Sequence, residues 1–164
     1  MKVNSKKNTI KILLILVIFF LDRITKNYTL NFFENNNIQE LIVLENFNIY
    51  LIWNEGIAFG LMNFDNHIVY NVITIIIAIV SFVILIFALK TKNYSSYFFT
   101  VIFAGALGNL YDRIKFSAVP DFIDLHIGNY HWFIFNVADI FISLGIICLI
   151  VDELFVNKIN NEKN

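Results

Sequence analysis

The feature that most constrains this chain is a set of four long apolar runs, at roughly Ile10 to Tyr28, Ile68 to Leu89, Tyr97 to Ile114 and Phe135 to Phe155. Each is near the ~20 residues an α-helix needs to cross the hydrocarbon of a bilayer. A helix can do this because it satisfies its backbone hydrogen bonds within itself. With 58% hydrophobic and 15% charged residues among 164, the chain holds more apolar side chain than a soluble domain of this size can bury. The expected fold is an all-α membrane protein, one membrane domain over residues 1–164 with four transmembrane helices.

Charge placement gives an expected orientation. Lys2, Lys6, Lys7 and Lys11 precede the first run, and Lys90 and Lys92 separate the second from the third. The connection from Asn27 to His67 has no Lys or Arg but contains Glu34, Glu40, Glu45, Glu55 and Asp65. Cationic loops remain in the cytoplasm, so both termini and the short second loop are expected there and the two long loops outside. The N-terminal lysines and the apolar Ile12 to Leu21 resemble a secretory signal. Asp22-Arg23-Ile24-Thr25-Lys26 follows, with no small-residue cleavage site, so a retained first helix is expected.

Other classes recede. A net charge of −1, with no basic stripe, makes nucleic acid an unexpected partner. The single cysteine, Cys148, stands in an apolar run; it builds no disulfide framework or thiolate metal site and is read as packing or lipid-facing. The tail from Asn157 reads as a solvated end.

Within the first outer loop, residues 29–67, the stretch Leu41 to Asn54 is rich in β-branched and aromatic residues and partly alternates with polar ones. One or two strands are expected there, in a small sheet on the outer membrane surface, half-sunk through Phe47, Tyr50 and Trp53. Gly128 to Phe135 is a candidate for another strand.

The polar residues cluster toward the outer helix ends. Asp22 and Lys26 are four apart, acid first, which suits an ion pair on one helix face; charges near a helix end can also snorkel to the interface. In Asn54-Glu55-Gly56-Ile57-Ala58-Phe59-Gly60, the glycines allow close backbone approach and Asn54 offers a donor and an acceptor, although a plain turn would look similar. Gly105, Ala106 and Gly108 permit tight helix packing in lipid. Asn109, Asp112 and Arg113 share a face that should point into the bundle. Asp112 and Arg113, being adjacent, do not face each other squarely, so at least one needs a partner elsewhere. Asn136 can cap the fourth helix, and Asp139 one turn in can be read as an acid complementing the helix dipole. An ionised carboxylate at that depth is costly unless paired, however. Two carboxylates meeting there would share a proton near neutral pH, the asymmetry by which an aspartic protease activates water. Spacing leaves the partner of Asp139 open among Asp112, Asp121 and Asp124.

The set LDRITK, NEGIAFG, GALGNLYDR, VPDFID and FNVAD, in that order from Asp22 to Asp139, closely resembles the lipoprotein signal peptidase family, signal peptidase II. The resemblance implies an intramembrane aspartic endopeptidase of the bacterial inner membrane with its active site near the outer face. Asp121 and Asp139 would be its catalytic pair, with no metal and no cofactor. Asn54, Gly56, Asn109, Asp112, Arg113, Asn136 and Ala138 would hold the substrate or order the site, and Asp22 and Lys26 would support it. The implied substrate is a prolipoprotein carrying a diacylglyceryl group on a cysteine, cut just before that cysteine, with membrane lipid around it. Pro120, before Asp121, departs from the aliphatic residue common there and could stiffen the approach. His126 and His131, near Asp121 and Asp124, match no usual zinc spacing and are read as surface or interfacial. Two other classes compete: a small proton-coupled carrier, which needs access from both sides, and a structural subunit, which leaves the one-sided polar placement unexplained.

Overall fold

The computed structural model describes residues 2–56, 67–128 and 130–161, with side chains for 6–56, 68–128, 130–131 and 133–155. The chain order is α1 (Lys2–Asn36), β1 (Glu40–Leu44), β2 (Phe47–Asn54), α2 (His67–Lys90), α3 (Ser95–Phe116), β3 (Val119–Ile127), β4 (Tyr130–Phe135) and α4 (Val137–Asn161). The protein is therefore mostly helical, with one antiparallel sheet in the order β1-β2-β3-β4.

The small residues of α3 place it at the centre, in contact with each of the other three helices. A Cβ built on Gly105 would come within 2.6 Å of the Ala138 carbonyl oxygen, and one on Gly108 within 2.6 Å of Asp22 Oδ2. Any larger residue would push α4 or α1 away. Burial is reversed relative to a soluble domain. Lys26, Asp22 and Asp112 are essentially inaccessible, while Ile12, Ile75, Phe82 and Leu154 are each more than half exposed. Such an apolar exterior suits a lipid environment. Among the described residues one helix, Ile68–Lys90, is long and apolar enough to cross a membrane by length and composition.

Several boundaries differ from the sequence expectation. The first helix was expected over 10–28 but runs from Lys2 to Asn36, because polar residues at both ends continue the helix until Asn37 takes the left-handed conformation (φ 50°). Helix α4 starts at Val137, two residues later than expected, and continues to Asn161 beyond the expected end. The larger correction is at VPDFID, expected to lie in a loop. It is β3, the inner strand between β2 and β4. Its first four residues are buried, a continuous run that lacks the alternation marking a half-exposed strand. Ser117 (φ 55°) ends α3, its N–H donating to the Arg113 carbonyl, and turns the chain sharply into β3.

Candidate active site

Two neighbouring strands and two helix ends bring the polar residues together. Asp121 on β3 lies opposite Ile52 of β2, and Asn54 at the end of β2 lies opposite Val119. Asn54 Nδ2 donates to Asp121 Oδ2 at 2.9 Å, while its Oδ1 accepts the Gly56 N–H at 3.0 Å. The amide thus holds both the carboxylate and the loop that follows.

Asn136 is the centre of the site. Its Nδ2 donates to Asp121 Oδ1 at 2.5 Å. Its backbone N–H donates to Asp139 Oδ2 at 3.1 Å, and its Oδ1 accepts the Asp139 N–H at 3.2 Å. The last two bonds form a reciprocal box at the start of α4, the N-cap amide and the third-residue acid each satisfying the other's backbone. The cap expected at Asn136 is therefore present, and the same residue also holds Asp121. Asn109 Nδ2 adds a bond to Asp139 Oδ1 at 2.8 Å.

Behind this pair lies a buried set of two acids and two cations. Lys26 Nζ contacts Asp112 Oδ2 at 2.7 Å, Asp22 Oδ1 at 3.0 Å and Asn109 Oδ1 at 2.7 Å. Arg23 donates from both terminal nitrogens to Asp112, from Nη2 to Asp22 Oδ2 at 2.5 Å, and packs over the Tyr111 ring. Asp22 Oδ1 also accepts the Ala138 N–H at 3.1 Å, a carboxylate at a helix N-terminus where free N–H groups and the dipole favour it. Asp22 and Lys26 thus do form the expected ion pair but do not snorkel, since both are buried within the bundle.

Asp112 and Arg113 diverge, as their adjacency requires. Asp112 turns to Lys26 and Arg23, whereas Arg113 Nη2 donates to the Gly56 carbonyl at 2.6 Å and lies over the Tyr70 ring. Arg113 Nη1 is buried with no hydrogen-bond partner among the described residues. Ile57 to Gly60 of the NEGIAFG stretch lie outside those residues.

Of the three candidate partners for Asp139, Asp121 is the one bound to the same residue, Asn136. Asp112 belongs to the charged set, and Asp124 turns away to His131. Arg23 is the member that the sequence reading did not single out, although two adjacent charges inside an apolar helix were a visible signal. Burial above all, and then the negative charge of Asp139, push the Asp121 carboxyl up to about 7, against the opposing pull of Asn54, Asn136 and Lys26. A cavity of about 430 Å³ opens beside Asp139, lined by Leu125, Phe133, Phe135, Ile140, Ser143 and Leu144. The arrangement therefore offers two acids held by one asparagine, one of them next to an apolar recess.

Comparison with known proteins finds relatives over nearly the whole chain. The family model described as signal peptidase (SPase) II matches residues 14–155. The lipoprotein signal peptidase of Pelagibacter ubique (strain HTCC1062) is 49% identical over 164 residues, 99% of each chain. That of Anaplasma phagocytophilum (strain HZ) is 41% identical over 153 residues, 91% of this chain and 94% of its own. Two solved structures, each described as a bacterial membrane enzyme obtained by the in meso method, superpose with TM-scores of 0.70 and 0.71 at 29% and 28% identity. Both cover 89% of this chain, and 88% and 93% of their own.

Proposed function

The chain belongs to the signal peptidase II family, and on that premise we propose that Asp121 and Asp139 are the catalytic pair with which it cleaves prolipoproteins. It is a membrane peptidase of aspartic type that removes the signal peptide in front of a diacylglyceryl-modified cysteine. The observation that carries the assignment of the pair is Asn136, whose side-chain amide binds one carboxylate and whose backbone N–H binds the other.

Two acids so placed hold one proton between them near neutral pH, because both charges together in a buried site are unfavourable. The ionised carboxylate takes a proton from water as the water oxygen attacks the scissile carbonyl carbon. Its protonated partner donates to the carbonyl oxygen, which becomes the hydroxyl of a tetrahedral intermediate. The intermediate then collapses: the C–N bond breaks, the amine of the lipidated cysteine leaves with a proton, and the carboxyl product stays on the signal peptide. Arg113, with a donor nitrogen unpaired among the described residues, and Gly56, Asn54, Asn109 and Ala138 bind or align the peptide. Lys26, Asp22 and Asp112 hold the two amide-bearing elements in place. The apolar recess beside Asp139 takes hydrophobic parts of the substrate.

The four helices each span the membrane, with both termini on the cytoplasmic side and the sheet and carboxylates near the outer face. In support, Lys11 Nζ reaches the Ala88 carbonyl and Lys7 that of Lys92, so the N-terminal lysines lie at the same end as the positively charged α2–α3 loop. The polar groups gather toward the opposite end, and α2 carries no acid. That one-sidedness favours a peptidase over a carrier. The test is cleavage of a diacylglyceryl-modified precursor by the purified protein in detergent with a chelator present. Cutting before the lipidated cysteine by the wild type and none by Asp139→Asn is expected; equal cutting by the two would sink the assignment.

A further inference from the structure

The strand that carries Asp121 presents a second cluster three residues on. We propose that Asp124, His126 and His131 form a binding site for a divalent transition-metal ion of zinc's type, which ties β3 to β4. The sequence spacing concealed this arrangement, because the three residues are assembled across a hairpin. His126 and His131 are direct cross-strand partners, and Asp124 is two residues before His126. The register shifts between Asp124 and His126, a bulge that re-aims side chains at that point.

The geometry fits a metal's first coordination sphere. Asp124 Oδ2 lies 2.9 Å from His131 Nδ1 and 3.6 Å from His126 Nδ1. One ligand atom from each of the three residues lies within 4.8 Å of the others. A tetrahedral zinc ion with bonds of ~2.0–2.1 Å places its ligand atoms about 3.3 Å apart, so small shifts would seat the ion. Two imidazoles and a carboxylate suit zinc-type cations, and three protein ligands leave a position for water.

An ordinary histidine–aspartate hydrogen bond explains only part of the cluster. It accounts for His131, whose side chain is 54% exposed. It does not account for His126, nine-tenths buried, whose Nδ1 has no hydrogen-bond partner among the described residues. Nor does it explain why the two rings stack, 5.0 Å apart, on one buried carboxylate. The cluster is separate from the catalytic pair, and the proposal stands or falls independently of it.

The experiment uses the full chain in detergent, stripped of metal and then freed of chelator. Titrating Co²⁺ is expected to produce the visible absorption of a low-coordinate nitrogen–oxygen site at one equivalent, displaced by Zn²⁺. Zn²⁺ is expected to raise the thermal midpoint, because it binds the folded state. His126→Ala and His131→Gln should each weaken binding by at least about tenfold, with midpoints in chelator close to that of the wild type. His131→Gln sits at an exposed position, so the test survives even where His126→Ala unfolds. Wild-type uptake no greater than that of His131→Gln, or a midpoint indifferent to Zn²⁺, overturns the proposal.

Discussion

The charged set of Asp22, Arg23, Lys26 and Asp112 and the carboxylate pair of Asp121 and Asp139 adjoin in one layer, joined by Asn109, which accepts from Lys26 and donates to Asp139. Both are removed from water, but their charges are balanced differently. In the first, two anions face two cations at contact distance, so every carboxylate has a partner of opposite sign. In the second, two acids face neutral amides, and the nearest cation, Lys26, is already bound by Asp22 and Asp112. Burial is thus used in two ways: a compensated cluster fixes geometry, and an uncompensated pair retains a proton it can exchange.

The largest effect should come from neutralising one member of the pair. Asp121→Asn or Asp139→Asn is expected to lower cleavage of a lipidated precursor by ~10⁴-fold or more, in keeping with the loss of a core catalytic group. Folding should persist, because the amide is nearly isosteric and relieves a costly charge. Thermal unfolding in detergent checks the second half. A variant that is inactive because it is unfolded would remove the distinction between the two regions.

Lys26→Met should do the reverse. It leaves Asp22 and Asp112, both fully buried, to share Arg23. Removing one partner of a buried ion pair costs about 3–5 kcal/mol, most of it from the charge left behind. The thermal midpoint should therefore fall well below that of Asp139→Asn. A Lys26→Met protein as stable as the wild type would mean that the charged set contributes no more to folding than the pair does.

Dependence on pH sharpens the contrast. The folded-state pKa of Asp121 is raised from 3.8 to about 7, so between these values the native state binds more protons than the unfolded one. Stability from this group is fully present below about 4 and is lost as pH rises through about 7. The slope approaches 1.4 kcal/mol per pH unit at most, roughly one proton. Asp121→Asn removes that slope, so the stability of the variant relative to the wild type should grow from pH 4 to 7 and then level off. For activity the sign is the same: kcat/KM should fall above about pH 7 as the pair loses its shared proton. A difference between variant and wild type that is flat in pH would show that Asp121 titrates normally.

How far the sequence revealed these regions follows from the range of each interaction. Apolar length marked the helices, and alternation marked β1 and β2, because both signals are local. Strand β3 was missed because an inner strand buried on both faces has no alternation, and Pro120 at its second position suggested a loop. The site residues emerged from family motifs, since spacing alone left Asp112, Asp121 and Asp124 equivalent as partners for Asp139. What separates them is a register: β3 pairs with β2 so that Asp121 meets Asn54, while Asp124 lies three residues along and turns to the histidines. Arg23 finds its partner Asp112 only across the bundle, and the histidine cluster, although it falls within residues 124–131, is brought together only by the pairing of β3 with β4.

The smallest expected effect lies at the edge between the two regions. Arg113 donates to the Gly56 carbonyl, while the Gly56 N–H donates to Asn54, whose amide holds Asp121. The guanidinium therefore acts on the carboxylate through the backbone of one glycine and one side chain. Arg113→Lys retains the charge but loses the planar fork and its fit over Tyr70. Loss of a charge-assisted hydrogen bond of about 1.5–3 kcal/mol corresponds to a ~10–100-fold decrease in kcat/KM, and partial replacement by the ammonium puts the expectation near the lower end. The thermal midpoint should move much less than in Lys26→Met, because Arg113 is not one of the four charges that compensate one another. If the midpoint falls as far as in Lys26→Met while kcat/KM is spared, Arg113 belongs with the charged set and the boundary between the two regions lies on the other side of it.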